Sequence, residues 1–166
     1  MGEALRSLER AMIVHLLYPS TSTEPPIRPD LKKSPRLQFL DTGLINYAAG
    51  LQGFFFKTTD LHAFYQGLLA KHIVGQEFLA LSLKTSGKPS FWVREKKQSS
   101  AEVDFIVQSG PYIVPVEVKA GKTGTLRSLH QFVERSNHPF AIRLWAGPLE
   151  KIETATPTGK PYTLLN

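Results

Sequence analysis

Apolar positions recur along this chain at two periods. Leu5, Leu8 and Met12 fall at helical spacing and predict a helix over about residues 3 to 11. Residues 12 to 18 are apolar and read as a strand. Pro19, Pro25, Pro26, Pro29 and Pro35 then punctuate a Ser/Thr/Lys-rich stretch, which predicts a long loop, because proline fixes φ and removes a donor. Residues 37 to 40 read as a short strand. Asp41 stands where it can cap a helix running to about residue 49, which Gly50 ends. From about residue 60 to 84 the spacing of Leu61, Phe64 and Leu68, then of Ala70, Ile73, Val74 and Leu81, predicts a long helix, stopped by Gly87 and Pro89.

Beyond that point the period changes to two. Strands are expected at residues 91 to 94, 102 to 107 and 112 to 119, with turns at 96 to 100 and at Ser109-Gly110-Pro111. The short Gly-Pro loop makes the last two strands an antiparallel hairpin. After a break at residues 121 to 124, Leu126, Leu129, Phe132 and Val133 mark one face of a helix over 125 to 135, and residues 140 to 145 form a final strand. The fold class is α/β: helix, three strands, helix, strand, with a small N-terminal helix and strand extension. Residues 1–59 are assigned to an N-terminal linker subdomain, 60–150 to the core and 151–166 to a C-terminal tail.

Strand alternation places the chemistry. Val114, Val116 and Val118 share one face of their strand, and Glu117 and Lys119 share the other. On the preceding strand Val103, Phe105 and Val107 are expected to share a face, with Asp104 opposite. The hairpin then brings Asp104 and Glu117 together. Two carboxylates in apolar strands are costly to bury uncompensated. A divalent cation such as Mg²⁺ compensates them, activates water and neutralises a phosphodiester transition state, with Lys119 beside the nucleophile. The alternative is a salt-bridged pair in which Asp104 meets Lys119 and nothing is catalysed.

The segments Ala101-Glu102-Val103-Asp104-Phe105-Ile106-Val107 and Val114-Pro115-Val116-Glu117-Val118-Lys119-Ala120-Gly121-Lys122 resemble the C-terminal uncharacterised domain of a prokaryotic family of AAA-type P-loop ATPases. Pro35 to Leu44 resembles that family's strand leading into an Asp-Thr-Gly-Leu turn. The resemblance implies a restriction-endonuclease-like PD-(D/E)xK core and a preceding ATPase and winged-helix region, of which the first 18 residues are the tail. It also implies a Mg²⁺-dependent nuclease acting on DNA, or an inactive nuclease-fold module that binds DNA or protein. The catalytic set is Asp104, Glu117 and Lys119. The metal set is Asp104 and Glu117, with Glu77 as the nearest helix carboxylate. Two positions depart from the pattern: Val103 replaces the motif's proline, and the helix spacing from Gly67 reaches Lys71 where relatives often carry Glu.

Charge adds a partner class. The formal net charge is +6, with seven Lys/Arg against six Asp/Glu before Leu61 and thirteen against eight from there onward. A basic excess raises affinity for polyanions. Arg94, Lys96, Lys97 and Lys122 are the candidate nucleic-acid contacts, with Phe91 and Trp92 either stacking bases or packed in the core. Gly121-Lys122-Thr123 mimics the end of a phosphate-binding loop, but Val116 stands where that loop needs glycine, so no ATP site is expected in this chain. The histidines show no ligand spacing, and His130 reads as a surface residue.

The chain has no cysteine, which excludes disulfides and thiolate zinc sites and fits a reducing cytoplasm. Glu3, Arg6, Glu9 and Arg10 interrupt any secretory segment. The longest uncharged run, residues 42 to 56, is too short and polar to span a bilayer. A cytoplasmic protein without membrane contact is expected.

Overall fold

Residues 2–48, 50, 68–82, 89–95, 101–119 and 125–166 are described by a computed structural model of the chain. The described elements run α1 (Gly2–Arg10), β1 (Val14–Leu17), β2 (Pro19–Ser20), β3 (Arg36–Phe39), α2 (Thr42–Ala48), α3 (Leu68–Ser82), β4 (Ser90–Val93), β5 (Glu102–Ser109), β6 (Tyr112–Lys119), α4 (Arg127–Arg135), β7 (Phe140–Trp145), β8 (Lys151–Ala155) and β9 (Pro161–Leu165). The expected α/β class holds. From α3 to β7 the order is helix, three strands, helix, strand. The first part of the long helix expected over 60 to 84 lies outside the described residues. At α2, Asp41 Oδ1 accepts the Gly43 N–H at 2.6 Å, which satisfies a first-turn donor.

Seven of the described strands form one sheet in the order β2-β4-β5-β6-β7-β9-β8, and β1 pairs with β3 in a separate two-stranded sheet. The β5–β6 hairpin is antiparallel, with Ser109 facing Tyr112 across a two-residue turn. Gly110 has φ +56, a conformation that suits glycine at the first central position of a primed hairpin turn. β7 then returns parallel to β6 across α4.

The two helices cover opposite faces. Ala70, Val74 and Phe78 of α3 pack against Phe91, Phe105, Val116 and Val118. Leu129, Phe132 and Val133 of α4 pack against Trp92, Val103, Ile106, Ile113, Tyr162 and Leu164. Neighbouring strand residues such as Phe91 and Trp92, or Phe105 and Ile106, therefore serve different clusters, as strand alternation requires.

One expectation fails at β5. Val103 lies in the α4-side cluster, whereas Phe105 and Val107 lie on the α3 side. The cause is a register shift: Ser90 pairs with Ile106 but Trp92 pairs with Val103, so β5 carries one residue more than β4 across the same span. A bulge of this kind reverses the alternation locally. Asp104 sits inside it.

Residues 151 to 166, expected as a tail, instead form an antiparallel β8–β9 hairpin, and β9 adds to β7 in parallel. Tyr162 and Leu164 enter the core at 2% and 4% exposure. Lys160 Nζ donates to the carbonyls of Val133 and Ser136, each at 2.6 Å. A cation there satisfies carbonyls that α4's C-terminus leaves unpaired and complements its dipole. Glu134 on α4 accepts the hydroxyls of Thr156 and Thr158. His130, expected at the surface, is half-buried against β9, with Nε2 3.0 Å from the Tyr162 hydroxyl.

Candidate functional site

The bulge in β5 decides how Asp104 is used. The last described pair of the hairpin ladder is Phe105 with Val116, so Asp104 and Glu117 flank its end on adjacent strands. Asp104 is 3% exposed. Its Oδ2 accepts the backbone N–H of Val118 at 3.0 Å. Its Oδ1 meets Lys71 Nζ, from α3, at 2.5 Å. Its main-chain carbonyl accepts Arg36 Nη1 at 3.1 Å. Both carboxylate oxygens and the main-chain carbonyl of this residue are thus engaged by the protein itself.

Glu117 is held differently. Oε1 receives Lys119 Nζ at 2.7 Å, while Oε2 is buried with no hydrogen-bond partner among the described residues. Burial raises the Glu117 carboxyl above its ordinary range, and the Asp104 charge raises it further. Lys119 and Lys71 pull in the other direction without prevailing. The spacing that sets Glu117 and Lys119 two residues apart on one strand is what lets them pair.

Arg36, on β3, is the third cation. Its guanidinium lies 3.9 Å over the Phe91 ring and pairs with Glu102. Burial lowers its pKa, and the Asp104 and Glu117 charges push it back up. Three cations (Arg36, Lys71 and Lys119) therefore face three carboxylates (Glu102, Asp104 and Glu117) at one end of the β5–β6 hairpin. Lys71, on the edge of α3, is held in register by neighbours on the same helix. Gln38 Nε2 donates to the His72 carbonyl at 2.8 Å, and Gln76 Nε2 donates to the Leu40 carbonyl at 2.7 Å. At Gly75 the approach is so close that an added Cβ would lie 2.1 Å from Gln38 Oε1.

The structure brings Asp104, Glu117 and Lys119 into one cluster. It pairs Asp104 with Lys71, not with Lys119. Glu77 is exposed on α3, six residues and about 9 Å of helical rise beyond Lys71, and does not join them. Arg94 follows β4 and donates from Nη1 to Gln131 Oε1 at 3.1 Å. Lys96, Lys97 and Lys122 lie outside the described residues. Phe91 and Trp92, at 4% and 1% exposure, are core residues and present no stacking surface. Arg36 was missed as a site residue. Its one sequence signal was position: a charged residue at the start of a short strand that alternates toward the buried Gln38.

A divalent cation does not fit this donor set well. Mg²⁺ requires carboxylate oxygens with room for several waters. Here both Asp104 oxygens are taken, and Lys71 holds the place beside Oδ1. Among the described residues no group of three or more His, Cys, Asp or Glu side chains could hold a metal. Among them, too, no helix is long and apolar enough to cross a membrane.

No curated protein and no solved structure matches the chain. Residues 66–147, just under half of the 166, match the family model described as Domain of unknown function (DUF4143). The matched stretch carries Lys71, Asp104, Glu117 and Lys119 and is similar to a domain often found in AAA-type ATPases.

Proposed function

We propose that this chain is a non-catalytic interaction module of an AAA-type ATPase, built on a restriction-endonuclease-like core whose acidic pair is neutralised by the protein's own lysine. The Lys71–Asp104 contact carries the reading: an ammonium sits 2.5 Å from the carboxylate oxygen that a catalytic cation would need. Breaking such a pair leaves a buried charge exposed to its neighbours, so the lysine supports the fold where a metal would otherwise be required. The net charge of +6 makes DNA the first partner class to try at low salt.

A second reading is a metal-dependent phosphodiesterase acting on DNA, with Asp104 and Glu117 as ligands and Lys119 as the third catalytic group. One observation favours it: Glu117 Oε2 is buried and has no partner among the described residues, as a ligand atom awaiting a cation would. Lys71, 41% exposed along its side chain, is able to swing toward solvent.

One set of variants separates the two. Thermal unfolding with and without Mg²⁺ or Mn²⁺, and cleavage of single- and double-stranded DNA, are measured for the unsubstituted chain, Asp104→Ala and Lys71→Glu. The expected result is no metal-dependent shift and no cleavage for the unsubstituted chain, with metal-dependent stabilisation appearing in Lys71→Glu. Metal-dependent stabilisation or cleavage by the unsubstituted chain, lost in Asp104→Ala, overturns the proposal in favour of the enzyme.

A further inference from the structure

Among the described residues the sheet ends on β8, whose five residues are all exposed. The ladder to β9 fixes which of its backbone groups are used. Glu150 and Asn166 exchange both N–H···O bonds, at 3.2 and 2.8 Å, and the Thr156 N–H donates to the Lys160 carbonyl at 2.9 Å. The register runs without a break from Lys151↔Leu165 to Ala155↔Pro161. Antiparallel alternation therefore directs Ile152 and Thr154 toward β9, and turns the N–H and C=O of Lys151, Glu153 and Ala155 to the open side. The other edge is different: β2 is two residues long, and Ser20 is bridged by Pro29.

The open edge is complementary to itself in one register. Let a second copy lie antiparallel along β8 with Ile152 facing Ile152 across a two-fold axis. Lys151 of each copy then stands opposite Glu153 of the other, and both positions are formed by outward-turned backbone groups. The same register sets Leu149, 82% exposed, opposite Ala155 of the second copy. A slip to the next paired register puts Glu153 against Glu153. Opposite charges directly across an antiparallel pair stabilise it and like charges destabilise it, so the charges select the first register. Within one chain Lys151 and Glu153 pair at 3.3 Å with side chains 70% and 67% exposed, an interaction weak enough to be redirected. Charged residues on an edge commonly prevent sheet-to-sheet association, but these alternate in sign and do so only for wrong registers.

We propose that β8 joins two copies of this chain into one continuous sheet about a two-fold axis. The contact is independent of the acidic cluster and of the function proposed above.

The test is sedimentation or light scattering of the 166-residue chain across a concentration series. The unsubstituted chain forms a dimer that dissociates on dilution. Lys151→Glu alone and Glu153→Lys alone each set like charges on both sides of the axis and raise the dimer Kd about tenfold or more. The double exchange Lys151→Glu with Glu153→Lys restores opposite charges and returns the Kd toward that of the unsubstituted chain. Thermal melting of each variant verifies that the folded chain is intact. A monomer at every concentration overturns the proposal. So does a dimer that the single exchanges leave unchanged, or one that the double exchange fails to restore.

Discussion

Replacing Asp104 tests how its carboxylate is held, because two substitutions remove different parts of its environment. In Asp104→Ala the Val118 N–H loses its acceptor in a buried position, at a cost of about 1–3 kcal/mol. The ion pair with Lys71 is lost as well. Lys71 is 41% exposed and can rehydrate, so this part is closer to a surface pair, about 0.5–1 kcal/mol. Relief of repulsion with Glu117 offsets a fraction of the sum. Asp104→Ala should therefore destabilise the chain by about 2–3 kcal/mol. Asp104→Asn retains a carbonyl oxygen for the Val118 N–H but turns its NH2 toward Lys71, whose 41% exposed side chain can move into solvent, so it should cost less than Ala, about 0.5–1 kcal/mol. The assay is urea unfolding at neutral pH without divalent metal, comparing midpoints at equal m-values. Equal costs for Ala and Asn would show that the Val118 hydrogen bond is not what holds the carboxylate. A stabilising Asp104→Ala would show that the buried charge is not compensated at all, and would refute the account of Lys71.

Two pH effects follow from the buried titratable groups. Glu117 is raised above its ordinary 4.5 by burial and by the Asp104 charge, so the native state holds more protons than the unfolded chain in the window just above that value, and stability should fall as pH rises through it. Glu117→Gln keeps an oxygen for Lys119 and should flatten that slope, giving a chain more stable than the parent at neutral pH in urea titrations; an unchanged slope would count against the Glu117 assignment. His138 has the opposite sign. Burial lowers its pKa from 6.5, its Nε2 donates to the Ile113 carbonyl at 2.7 Å, and its Nδ1 accepts the Phe140 N–H at 3.2 Å. The native state then binds fewer protons than the unfolded chain just below 6.5, so stability should drop as pH falls through that window, and His138→Gln should remove this component.

Periodicity made the central elements legible because their patterns are long and their turns carry specific residues. β6 and β7 lie over the expected residues, and β5 extends two residues further, since pairing with β6 continues to the two-residue turn at Gly110. The C-terminal hairpin was missed for a physical reason. β8 is exposed at every position and contains a single large apolar residue, so it shows no buried face from which to infer a strand. Its signal lay in the turn, where Gly159 has φ +91, and in the alternation of Tyr162 and Leu164. The bulge in β5 was equally hidden, because its cause is a pairing partner, β4, and not anything in β5 itself.

The site divides along the same line. Glu117 and Lys119 are two residues apart on one strand, and a two-residue period alone suffices to predict that they meet. Asp104 and Glu117 are joined by a two-residue hairpin turn, so local chemistry also brings them together. The cations that neutralise them come from afar: Lys71 precedes Asp104 by 33 residues and Arg36 by 68. At that separation, spacing in the chain says nothing about contact. Lys71 was visible only as a departure from a carboxylate expected on the first core helix. In the fold Lys71, in the first described turn of α3, sets its ammonium beside Asp104, so it carries positive charge where a Glu at that position would carry negative charge. A carboxylate there calls for an external cation, whereas an ammonium removes the need for one. In the proposed reading, that positive charge, on a helix clamped by Gln38 and Gln76, is the physical ground for separating this cluster from a metal-dependent centre with the same Asp104 and Glu117.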